Sequence, residues 1–190
     1  MQERIQSIIA ESIRVKQSLL QDASLLGRLE AVVALCVDCF ARDGKILFCG
    51  NGGSAADAQH LAAELSGRFY KERRPLFAEA LHVNTSYLTA VANDYAYDEV
   101  YARILKAMGR PGDVLIAIST SGNSGNILRA IEAARDKGMQ VVGFTGESGG
   151  KMRGLCDFLL NVPTSDTPRV QEAHILIGHI LCELIEERII

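Results

Sequence analysis

Four short apolar runs recur along the chain, at Ile46–Cys49, Val114–Ile118, Gln140–Thr145 and Phe158–Val162, and each gives way to glycine, hydroxyl residues or proline. They are too short for helices, and as near-continuous apolar runs they read as strands buried on both faces. Helical sequence separates them: an alanine-rich stretch from Ser54, the segment Ser124–Lys137 ending at Gly138, and a short piece after Gly146–Gly150. Strand and helix in alternation require crossovers, parallel pairing and helices on both faces of the sheet. The expected architecture is a three-layer α/β/α sandwich around a parallel, doubly wound sheet. Phe77–Val83 would add a weaker strand, and Ser86–Val91 and Glu99–Met108 two helices separated by Asn93-Asp94-Tyr95.

Helices also bracket this unit. Residues 3–21 and 24–42 each carry an apolar stripe, the second stopping at Asp43-Gly44, so residues 1–43 form a helical pair that needs a surface to pack on. The last helix starts near Pro168, a residue suited to the first helical turn, and runs to about Arg188. Val170, Ala173, Ile175, Leu176, Ile177, Ile180, Leu181, Leu184, Ile185 and Ile189 make it apolar over most of its circumference. Burial on several sides predicts a homo-oligomer, in which the N-terminal pair also packs on neighbouring subunits. No repeat or linker divides the chain, and 1–190 is expected to be one domain.

A net charge of −3 argues against a general nucleic-acid binder. No apolar run approaches the ~20 residues a membrane span needs. The start, Met1-Gln-Glu-Arg-Ile, lacks the basic and apolar segments of a signal peptide, so a cytoplasmic location is expected. The five cysteines are an odd number and read as reduced thiols. Cys36 and Cys39 form a lone Cys-x-x-Cys inside a helical stripe, and are expected to be small buried residues rather than a redox or metal pair.

Chemistry concentrates in Lys45–Leu65. A strand breaks at Gly50-Asn51-Gly52-Gly53, where the backbone can turn sharply. Ser54 reads as an N-cap, and strand, turn and helix N-terminus together make an anion site. On the same helix His60 and Glu64 are one turn apart and can meet at one point. A second loop, Ser119-Thr-Ser-Gly-Asn-Ser124, joins a strand to a helix N-terminus and offers four hydroxyls. It has no basic side chain, so it would hold a phosphate by neutral donors and backbone N–H groups. Neither the Walker pattern nor Gly-x-Gly-x-x-Gly is present, which argues against a nucleotide. The last helix adds Gln171, Glu172, His174 and His179. Imidazole nitrogens and carboxylates at this density point to a divalent metal such as zinc.

The segments Cys49–Glu64, Ala92-Asn-Asp94, Ile118–Ser124 and Arg169-Val-Gln-Glu-Ala-His174 resemble, over essentially the whole chain, the phosphoheptose isomerases. These form the sedoheptulose 7-phosphate isomerase branch of the sugar-isomerase (SIS) fold. The resemblance implies a homotetramer with active sites between subunits and one zinc per subunit, held by His60, Glu64, Gln171 and His179. Glu64 and His179 would also be the proton-transfer pair. Asn51, Gly52, Gly53, Ser54, Glu64, Arg68, Asn93, Asp94, Ser119, Thr120, Ser121, Ser124 and Gln171 match substrate-contact positions. His174 and His82 match none. Some members carry an Asp shortly before the Gln of the last helix; here Pro168 stands there, so no sugar contact is carried over from that place.

The implied reaction converts sedoheptulose 7-phosphate to D-glycero-D-manno-heptose 7-phosphate through an enediol. It is a first step toward ADP- or GDP-heptose for lipopolysaccharide or other surface glycans. Gln171 and His179 lie eight positions apart on one helix, about 12 Å of rise, so a metal touching both predicts a site shared between subunits. Two alternatives stand beside this. The N-terminal residues also resemble a non-catalytic tetrameric relative that binds the bacterial replication initiator, although Glu64 and His179 are both present here. Another sugar-phosphate or amino-sugar-phosphate enzyme of the same fold is the second.

Overall fold

The computed structural model describes residues 1–189. Helices α1 (Gln2–Gln21) and α2 (Ala23–Ala41) precede β1 (Ile46–Gly50), α3 (Gly53–Ser66), β2 (Ala78–Ala80), α4 (Thr85–Asp94) and α5 (Val100–Met108). Then follow β3 (Val114–Ile118), α6 (Gly125–Asp136), β4 (Gln140–Thr145), β5 (Phe158–Asn161) and α7 (Thr167–Ile189). The five strands form one sheet in the order β2-β1-β3-β4-β5, parallel throughout. The architecture is the expected three-layer α/β sandwich.

Side-chain alternation in the strands splits the core in two. Ile46, Phe48, Val114, Ile116 and Phe144 face α2, α3 and α7, whereas Leu47, Cys49, Leu115, Ala117 and Val141 face α5 and α6. Both faces are covered, which is why the strands carry almost no polar residues. Cys36 and Cys39 are free and buried in the first cluster, with burial pushing the Cys39 thiol up to about 11. β1 and β3 lie side by side in the middle of the sheet, and the chain winds outward from them in opposite directions. This reversal opens a crevice beyond their carboxyl ends, the usual ligand position in open α/β sheets.

The structure shifts several boundaries. The second strand is only Ala78–Ala80, an edge strand paired with β1 alone. α4 continues through Asn93 and Asp94 rather than stopping at Val91, and Tyr97–Glu99 form a 3₁₀ turn before α5. Ser54 is not the N-cap of α3: Gly52 is, and Ser54 is buried inside the first turn. α7 buries Val170, Ala173, Ile177, Leu181 and Ile185. Leu176 and Ile180, with the buried Ile177 at its floor, line an apolar groove with Leu19, Leu20, Leu25, Leu26 and Leu29. α1 leaves Ile5, Ile9 and Ile13 about half exposed. Among the described residues, no helix is long and apolar enough to cross a membrane.

Candidate active site

The crevice between β1 and β3 is lined by Asn51, Ser54, Ile118, Ser119, Thr120, Ser124 and Gln171, a small recess of about 80 Å³. Thr120 also borders a larger cavity of about 500 Å³, bounded by Ser121, Asn123, Gly146, Glu147, Ser148, Ser165 and Thr167. Ser124 is the N-cap of α6 but makes no side-chain cap bond, its hydroxyl turning into the loop instead. Its Oγ lies 3.0 Å from Ser119 Oγ, which in turn lies 3.5 Å from Ser121 Oγ. Three hydroxyls thus converge over a helix N-terminus, as an anion requires. The loop is braced from behind. Gly122 takes φ +66, and a Cβ there would stand 2.2 Å from the Gly149 carbonyl oxygen, so only glycine fits. Lys151 N–H donates to Asn123 Oδ1, and Met152 N–H to the Gly122 carbonyl.

Asn51 is held by a residue that sequence reading passed over. Its Nδ2 donates to Asn126 Oδ1 at 2.8 Å, and Asn126 Nδ2 donates back to Asn51 Oδ1 at 2.8 Å. Tyr97 Oη also donates to Asn51 Oδ1. Asn126 is buried in the first turn of α6, and this reciprocal amide pair ties the two loops of the crevice together. Asn93 and Asp94 sit exposed in the last turn of α4, with Asn93 donating to Asp94. Arg68 lies exposed just past the end of α3.

A second cluster lies where α3 meets α7. The two helices run parallel: Gly53 packs on Gln171, Leu61 on Gly178, and Phe69, just beyond α3, donates its N–H to Glu186. His60 Nε2 lies 3.0 Å from His179 Nε2 and 3.2 Å from Glu64 Oε1. Ligand atoms of all three lie within 4.8 Å of one another. Zinc–ligand bonds of 2.0–2.1 Å in tetrahedral array put neighbouring donor atoms about 3.3 Å apart. His60 stands at about this spacing from both partners, and two imidazoles with a carboxylate are the donor chemistry a divalent metal takes, so the set fits one. Asp57, one turn before His60, has a carboxyl raised to about 6, because burial outweighs the lowering effect of His60.

The structure therefore brings together three of the four expected ligands in one chain, and places the fourth, Gln171, in the crevice. His174 is fully buried, its Nε2 donating to the Thr145 carbonyl, as befits a structural residue. Burial pushes its imidazole down to about 4. Glu172 accepts from Ser12 and pairs with Arg169, and these bonds hold its carboxyl low, the Ser12 bond most of all.

A doubly wound sheet with a hydroxyl-lined crevice at its switch point is the framework of a SIS domain, and residues 10–146 match the family model of that description. The chain is 62% identical to the phosphoheptose isomerase of Rhodospirillum rubrum over 144 residues, 76% of this chain and 77% of that one. It is 50% identical to that of Aneurinibacillus thermoaerophilus over 189 residues, covering 100% of this chain and 96% of the relative. The solved structure of phosphoheptose isomerase from Neisseria gonorrhoeae superposes with a TM-score of 0.92 at 47% identity, covering 98% of each chain. The chain belongs to the phosphoheptose isomerase family.

Proposed function

We propose that this chain is an aldose–ketose isomerase that interconverts sedoheptulose 7-phosphate and D-glycero-D-manno-heptose 7-phosphate through an enediol. The observation that carries the reading is the convergence of Glu64 and His179 beside a separate hydroxyl-lined anion site. Moving a carbonyl between neighbouring carbons needs one group to take a proton from carbon and another to service the oxygens. Glu64 is the base and His179 the partner acid/base. Ser119, Ser121 and Ser124 hold the phosphate, which keeps the distant reactive carbons in register. Thr120, Asn51, Gly52, Gly53, Ser54, Asn93, Asp94, Arg68 and Gln171 complete the proposed substrate contacts. Such a product would feed ADP- or GDP-heptose synthesis for lipopolysaccharide or related glycans.

His60, Glu64 and His179 would hold one zinc per subunit, with Gln171 as fourth ligand. When bound, the ion would supply a Lewis acid to polarise a carbonyl oxygen. Since α7 of one chain sets Gln171 at the crevice, a shared site in a homotetramer is the arrangement we favour. The half-exposed isoleucines of α1 and the apolar groove under Leu176 and Ile180 support association. Zinc added to metal-free protein at about a hundred times its Kd should stabilise it by about 2.7 kcal/mol, and H60A should abolish that gain.

The test is to incubate purified protein with sedoheptulose 7-phosphate and follow aldose formation, with shorter ketose phosphates and amino-sugar phosphates alongside. Preferential turnover of the heptose supports the proposal. Turnover of another phosphosugar alone would reassign the substrate. Absence of any turnover, with capture of the bacterial replication initiator, would favour a non-catalytic role.

A further inference from the structure

We propose that the buried Arg73–Glu186 pair is a positioning device for the proton-transfer groups, fixing both the end of the helix that carries Glu64 and the ring that stacks on His179. It rests on the reading of Glu64 and His179 given above. Glu186 lies two turns beyond His179 on α7 and is 1% exposed. Its carboxylate accepts three consecutive backbone N–H groups: Phe69 at 3.0 Å, Tyr70 at 2.7 Å and Lys71 at 2.8 Å. Burial alone would raise this carboxyl, but the three amides and Arg73 outweigh it and hold it low and charged. Successive amides converging on one oxygen pair fix the path of the backbone that carries them.

Arg73 faces the same carboxylate, its Nε 3.1 Å from Glu186 Oε1 but with the N–H turned off the hydrogen-bond line. Its terminal nitrogens turn the other way, onto the open end of α3. Nη2 donates to the Glu64 carbonyl at 2.8 Å, and Nη1 to those of Leu65 at 2.9 Å and Gly67 at 3.1 Å. A helix end leaves such carbonyls without partners, and here one guanidinium takes three of them. Between these two anchors Phe69 stacks on the His179 ring, with centroids 5.7 Å apart and planes at 29°. One buried ion pair therefore reaches both members of the proposed catalytic pair: Glu64 through its own carbonyl, and His179 through the ring of Phe69. A buried pair is poor evidence for stability by itself, since burial costs what the attraction returns. What this pair fixes is geometry.

The test is steady-state kinetics and thermal melting of E186Q, R73K and F69L, assayed well below their melting temperatures. E186Q keeps the volume but cannot accept all three amides, and F69L keeps the ion pair but removes the ring. The expected result is a kcat about tenfold or more below wild type for E186Q and several-fold for F69L, with KM within threefold, because misplacing a reacting group costs rate before it costs phosphate binding. If E186Q does not fold, R73K and F69L carry the test. Wild-type kcat in folded E186Q and F69L, with only a lowered melting temperature, would overturn the proposal. Failure of the underlying reading is separable: E64Q and H179A would then retain turnover, whereas here each loses at least a hundredfold in kcat whatever E186Q does.

Discussion

His60 and His179 stand 119 positions apart in the chain, yet their Nε2 atoms lie 3.0 Å from each other. They meet because α3 and α7 run parallel in close contact, and the closeness depends on Gly178. A Cβ at Gly178 would stand 2.4 Å from Leu61 Cδ1, so either the buried Leu61 side chain or the helix would have to shift to admit it.

G178A should therefore push α7 away from α3. Overpacking of this kind costs about 1–3 kcal/mol. Urea denaturation should show a loss of that size, and zinc affinity should fall with it, because His179 moves relative to His60 and Glu64. Unchanged metal affinity in a folded G178A would show that the cluster does not depend on this contact.

The Ser119–Ser124 loop makes a different prediction. A hydrogen bond to a charged group is worth about 1.5–3 kcal/mol, or roughly tenfold to a hundredfold in binding. S124A should raise KM by about that factor and leave kcat within a few-fold, since the phosphate is held alike in ground and transition states. Inorganic phosphate should compete with substrate in the wild type and more weakly in S124A. A selective loss of kcat would move this loop from anchoring to chemistry.

His174 links stability to pH. Its folded pKa, about 4, lies below the ordinary 6.5, and burial is the main cause. A depressed imidazole binds protons more weakly when folded, so its contribution is present above pH 6.5 and is lost as pH falls toward 4. The loss by pH 4 is about 3 kcal/mol. Metal-free wild type and H174Q should diverge in denaturant midpoint over this window, with the wild type falling faster. Parallel profiles would contradict the linkage.

Much of the fold was legible because each strand is an apolar run too short for anything else, followed by its own turn chemistry. The edge strand was overextended, since Phe77 and Val83 look like strand residues but have no second neighbour to pair with. The cap of α3 was misplaced because serine is the usual signal, whereas Gly52, at φ +55, starts the helix two residues earlier. In the site, His60 and Glu64 were readable from their one-turn spacing, and the hydroxyl loop from its composition. Asn126 was not, because an asparagine in a first helical turn normally faces water, and its burial depends on Asn51 from another loop. Arg73 and Glu186 escaped for the same reason: one sits in a charged loop and the other near a helix end, and only the packing of α7 on the end of α3 buries them together.

The most direct measurement is the turnover of sedoheptulose 7-phosphate by E64Q and H179A, with phosphate competition as the check that the anion site is intact. General acid–base groups contribute about a hundredfold to ten-thousandfold, so each variant should lose at least a hundredfold in kcat while still binding phosphate. Either variant turning over within a few-fold of the wild type would show that this carboxylate and imidazole do not move the proton.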